Sequence, residues 1–235
     1  MKWVVMLILI FCPLTVKGVE EVSSSTKYYK TISYVPSDTV NTKNEKLQYT
    51  AEITEQEYES GKVDDLSSLA VIETTYKKMV VTIFKNGNYY RYQNVLYWTA
   101  IPKIRSYDII GIGFYRTLQP KGSAVFSQYY CYAKDDCYLS YDINNRRTSS
   151  GGVGISFKLP SGNLTELKQT IYVDMQKNTD AEVLRQVIVG DYAHAQNEIN
   201  LVEARKFDMN LAGIYTYSYL YDDMGIATLK WEGCW

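Results

Sequence analysis

Histidine is nearly absent from this chain: His194 is the only one in 235 residues, with just four cysteines and five prolines. One imidazole and no C-x-x-C pair leave the usual zinc ligand sets unbuildable. The adjacent acids Asp64-Asp65, Asp135-Asp136 and Asp222-Asp223 lack the alternating D-x-D-x-D-G spacing of an EF-hand loop, so no metal and no cofactor is expected. A Ser-His-Asp triad would have to use His194, with Asp191 as its orienting acid. Residues three apart in a strand point to opposite faces, and no G-x-S-x-G elbow is present. His194 therefore reads as a polar histidine near a strand end. Cys137 is a poor nucleophile, because Asp135 and Asp136 precede it and a β pattern follows, the reverse of what lowers a thiol pKa. A glycosidase needs two carboxylates at a set separation, and 26 acids without a fold nominate no pair. No catalytic residue is expected.

An excess of basic charge is also missing. Lys2 followed by the apolar run Val4–Cys12, then Pro13 and Val16-Lys17-Gly18, reads as a secretory signal over residues 1–18, cleaved after Gly18. The run is too short for a permanent anchor, and bulky Phe11 before Cys12 does not suit lipidation. The mature chain then carries 23 basic and 26 acidic residues, a net charge of −3. Nucleic acid is not an expected partner, since phosphate binding needs clustered Lys and Arg. Nor is docking to an anionic membrane, and no stable anchor remains after cleavage.

Three cysteines remain in the mature chain. Cys131 and Cys137, with five residues between them, are expected to form a disulfide; the odd Cys234 is then a free thiol or an intermolecular bridge, and the free thiol is expected.

What is present is β pattern. Residues 19–46 read as an N-terminal tether ("EEVSSSTK") containing a first strand at "YYKTISYV", followed by a turn-rich connector. From Leu47 the alternation is clear, and residues 47–235 read as one domain, with any sub-lobe boundary near 143–152. Thr54-Glu55-Gln56-Glu57 has capping-box form and predicts a short helix over 55–60. Asn86-Gly87 between two β-rich runs predicts a tight hairpin. "VLRQVIVGDY" fits helix or strand, and its β-branched end favours strand; "HAQNEINL" reads as a further strand. "GIGFYRTLQPKG" and "GVGISFKLPSG" resemble each other, as two equivalent strand-to-turn units or by chance. The fold expected is all-β: an antiparallel β-sandwich of about ten or more strands with one or two short helices.

Tyrosine is abundant, at 23 residues against 6 phenylalanines. Tyr215, Tyr217, Tyr219 and Tyr221 share one strand face, read first as cross-strand aromatic packing and second as a stacking platform for ligands. The densest cluster is "SQYYCYAKDDCYLSYD". Pairing Cys131 with Cys137 sets Tyr129 opposite Leu139, Tyr130 opposite Tyr138, and a five-residue tip from Tyr132 to Asp136. Tyr130, Tyr132, Asp135, Asp136 and Tyr138 are the candidate binding residues.

"YWTAIPKIRSYDIIGIGF", "SFKLPSG" and "GDYAHA" together resemble, over residues 70–235, a group of secreted proteins of Gram-positive bacteria. The resemblance implies an exported bacterial protein and attaches no activity. Asn163-Leu164-Thr165 is a glycosylation sequon, relevant only to a different origin. The function expected is a secreted or cell-surface, non-enzymatic binding module for a glycan, wall polymer or protein. A membrane-active, pore-forming-like β protein is the alternative, and a hydrolase with an unidentified site comes third.

Overall fold

The computed structural model describes residues 19–35, 47–61, 70–142, 145–178, 186–216 and 221–231. The chain is an antiparallel all-β sandwich, with two short helices among the described residues. It opens with β1 (Val19–Val35), β2 (Leu47–Ile53), α1 (Glu55–Ser60), β3 (Ala70–Asn86) and β4 (Tyr89–Trp98). Then come β5 (Tyr107–Phe114), β6 (Leu118–Pro120), β7 (Val125–Ala133), β8 (Asp136–Asp142), β9 (Arg146–Ser149) and β10 (Gly152–Lys158). The last elements are β11 (Glu166–Lys177), β12 (Gln186–Ala195), α2 (Leu201–Ala204), β13 (Phe207–Asn210), β14 (Gly213–Thr216) and β15 (Tyr221–Trp231). The larger sheet runs β2-β1-β3-β4-β11-β7-β8, with β6 also on β11; the smaller runs β15-β12-β5-β10-β9. Hairpin β13–β14 forms a separate two-stranded piece. The stretch 143–152 is where the chain passes from the larger sheet, at β8, to the smaller, at β9.

Alternation explains the layering. In β11, Leu167, Gln169, Ile171, Val173 and Met175 are buried, and the residues between them are half-exposed. Met79, Ile83, Tyr92 and Leu96 of the larger sheet meet Ile110, Phe157, Ile188 and Tyr192 of the smaller in one core. Strand β12 is buried along its whole length, because β13–β14 covers the face turned away from the larger sheet. That hairpin sits against the glycines of β5 and β10, which pair as Gly113↔Gly152 and Gly111↔Gly154. A Cβ on Gly113 would lie 2.1 Å from the Asn210 carbonyl oxygen, and one on Gly152 2.6 Å from that of Met209. The two similar GxG segments are thus neighbouring strands that let a third layer approach their backbones.

Three expectations change. Residues 19–27 are no tether: they form the first half of β1, paired with β3 from Val19↔Asn86 onward. A strand so exposed shows little apolar alternation, and its order comes from the β3 ladder. The β3–β4 turn is Gly87-Asn88, one residue later than expected, with Gly87 at φ 60° and Asn86 paired to Tyr89. "HAQNEINL" is not a strand: β12 stops at Ala195, and the Asn200 side chain accepts from Glu203 N to cap α2. The capping box is present, with Thr54 accepting from Glu57 N and the Glu57 carboxylate accepting from Thr54 N. Of the tyrosine face, Tyr215 lies exposed on β14 and Tyr221 starts β15, while Tyr217 and Tyr219 fall outside the described residues. So do residues 1–18 and Cys234.

Candidate functional site

Strands β7 and β8 form the hairpin that the cysteine spacing implied. Cys131 and Cys137 are disulfide-bonded, and the register sets Tyr129 against Leu139 and Tyr130 against Tyr138. A disulfide of this kind belongs to an oxidising compartment, and among the described residues no helix is long and apolar enough to cross a membrane.

The tip is tighter than five residues. Ala133 pairs with Asp136, so the turn is Lys134-Asp135, and the register shift between Cys131 and Ala133 leaves Tyr132 as a bulge. A bulge re-aims its side chain. Tyr132 meets Tyr130 and Tyr138 edge-on at centroid distances of 5.8 and 5.9 Å, while Tyr130 and Tyr138 stack at 5.5 Å. These are favourable aromatic separations.

Tyr130 pairs with the core residue Leu167, so the rings lie on the inner face of the larger sheet, with Tyr132 close to Gly162 of the β10–β11 connection. Tyr130 packs on the core, while Tyr138 is 49% exposed and Tyr132 36%. Asp135 and Asp136 are exposed at the turn. Asp136 accepts the Tyr138 hydroxyl, and this hydrogen bond raises the phenol pKa above its ordinary range. All five candidate residues thus share one end of one hairpin, with Tyr130 as the half-buried footing. On the opposite face, Leu139 and Tyr141 are also exposed.

A second constellation lay outside the sequence-based candidates. Asp108 of β5, wholly buried, accepts from the Tyr192 hydroxyl, from Ala195 N at 3.0 Å, and pairs with His194 Nδ1 at 2.9 Å. The Trp98 ring lies edge-on to both His194 and Tyr192, at 5.4 and 5.9 Å. Polar contacts continue across the larger sheet: Trp98 Nε1 donates to Gln169, Gln169 Nε2 to Gln128, and Gln128 Nε2 to the Lys158 carbonyl. Burial, then the Asp108 charge, pushes the Tyr192 phenol well above its usual pKa, so it stays a donor. Asp191 points the other way and accepts from Ile214 N, as the strand-parity argument required.

An acid–imidazole pair could orient a general base. Here Asp108 is held by three donors and His194 is 5% exposed beneath Trp98, so the pair joins β5 to β12 inside the core. The sequence signal for Asp108 was its parity with Ile110, Ile112 and Phe114, which turns an acid inward. Among the described residues, no group of three or more His, Cys, Asp or Glu could hold a metal ion.

No family model and no curated protein matches the chain. Among solved structures, the chain is similar to one in the structure of manganese lipoxygenase of Gaeumannomyces graminis with partial zonadhesin of Komagataella pastoris. The identity is 8% and the TM-score 0.27, over 89% of this chain and 84% of that one. A likeness of that size assigns neither a family nor an activity.

Proposed function

We propose that the protein is an exported, non-enzymatic binding module that engages a cell-surface ligand through the β7–β8 hairpin. The observation that carries this reading is the Tyr130–Tyr132–Tyr138 cluster beside Asp135 and Asp136 on a disulfide-closed tip. Rigid tyrosines supply contact area at low entropic cost, and a pre-ordered tip loses little freedom on binding. Two acids at the turn offer acceptors for hydroxyls or cations. The disulfide and the signal-like N-terminus support export.

The test is binding of the mature protein to bacterial cells, wall preparations and cell-surface proteins, compared with a Y132A/Y138A variant whose circular dichroism is unchanged. Loss of binding by about tenfold or more is expected, since two aromatic anchors are removed. Undiminished binding overturns the reading, as does leakage from liposomes without any surface binding.

A further inference from the structure

Strand β8 ends the larger sheet, and no described strand lies beyond it. The direction of its backbone groups follows from two contacts. The Cys131 carbonyl accepts from Thr165 N at 2.7 Å, so it points toward β11, away from β8. The Gln128 carbonyl accepts from Ser140 Oγ at 3.4 Å, so it points toward β8. Groups alternate along a strand, so Gln128 and Tyr130 bond to β8, at Ser140 and Tyr138. Cys137, Leu139 and Tyr141 therefore turn their N–H and C=O groups outward, along an open edge.

Proteins normally guard such an edge with lysine, proline, a bulge or a covering element. The smaller sheet does so at β9, where Arg147 and Ser149 donate to the Phe207 and Met209 carbonyls of β13. Strand β8, with sequence DCYLSYD, carries neither lysine nor proline. Its residues from Asp136 to Tyr141 are exposed, and Tyr138, Leu139 and Tyr141 are 49%, 53% and 63% exposed.

Charge chooses the occupant. The strand begins at Asp136 and ends at Asp142, with Asp135 in the turn; Asp142 also accepts from Asn145 Nδ2. In the antiparallel register that pairs the full strand with a second copy, Asp136 would face Asp142 of that copy at both ends, and facing like charges are unfavourable. A strand with an apolar centre and cationic ends meets no such repulsion, and its cations can also lie over tyrosine rings. Resting on the binding-module reading, we infer that β8 is a docking edge that takes an extended polypeptide segment with lysine or arginine at both ends, by antiparallel strand addition.

The probes are the peptide Lys-Thr-Val-Thr-Val-Thr-Lys and its counterpart with Glu at both ends, titrated against the mature protein. The Lys-ended peptide should bind at least about tenfold tighter, from two attractions replacing two repulsions. Its binding should slow hydrogen exchange at the Leu139 and Tyr141 amides. D136K should shrink or invert the preference, and L139P, which removes an outward N–H without an intrachain bond, should abolish binding. Equal affinities, no binding of either peptide, or protection away from β8 overturn the inference. So does a dimer in sedimentation that already protects those amides. If Y132A/Y138A abolishes cell-surface binding while the peptides show no preference, only the strand-docking inference fails. If that variant binds normally, the hairpin reading itself fails.

Discussion

Removing the Asp108 carboxylate should be among the costliest single changes in this protein. In D108A, the Tyr192 hydroxyl, Ala195 N and the His194 imidazole lose their shared acceptor at a site where Asp108 is 0% exposed. Each orphaned buried donor costs about 1–3 kcal/mol, and breaking a buried charged contact about 3–5 kcal/mol. A loss of about 3–5 kcal/mol is therefore expected, a large part of the about 5–15 kcal/mol available to a domain. D108N keeps one acceptor oxygen and the volume, and should lose about half as much. Urea denaturation followed by circular dichroism gives the midpoints, and an unchanged slope certifies that native-state loss is being read. The double variant D108A/H194A should lose less than the sum of the single variants, because the imidazole then has no acceptor to miss. A D108A protein within about 1 kcal/mol of the original, or strict additivity with H194A, refutes the account of this network.

Four further outcomes are expected. Tyr92 and Tyr192 are wholly buried, and burial raises both phenol pKa values. Their stabilisation is complete below the unfolded value of about 10 and falls as pH rises beyond it, by about 1.4 kcal/mol per tyrosine per pH unit. Urea midpoints should therefore fall from pH 10 through 11 to 12, and the last phenolate absorbance should rise only as the protein unfolds; full phenolate absorbance in a folded protein refutes this. G113A places a methyl against the Asn210 carbonyl and should cost about 1–3 kcal/mol, whereas G122A, with nothing within 4 Å, should be near neutral in the same assay. Reducing Cys131–Cys137 should cost about 2 kcal/mol for so small a loop. Thiol titration of the denatured, unreduced mature protein should find one thiol per chain, from Cys234; none refutes the free thiol, and three refutes the disulfide.

Local chemistry made much of this readable. Alternation in β11, the capping box at Thr54 and the register Tyr130↔Tyr138 all depend on residues close in sequence. Strand order does not. Asp108 and His194 stand 86 positions apart and meet because β12 lies beside β5 in the smaller sheet. Before that adjacency is known, an inward-facing acid shows only that a partner must exist. Ser23, Ser24 and Ser25 resemble a linker for a related reason: their strand conformation is dictated by Ile83, Thr82 and Val81 across the ladder. The five-residue tip became a two-residue turn because a bulge at Tyr132 is invisible to simple pairing of the cysteines.

The paired glycines of β5 and β10 also bear on the order of assembly. Hairpin β13–β14 is joined only locally, yet its seat is made of backbone from residues 111–113 and 152–154, roughly 100 and roughly 60 positions upstream respectively. That seat has no shape until β5 and β10 have paired, so the hairpin docks after the smaller sheet forms. Because it docks last, it should also be the first layer to lift away, uncovering Asp191 and the outer face of β12 before the sandwich itself separates.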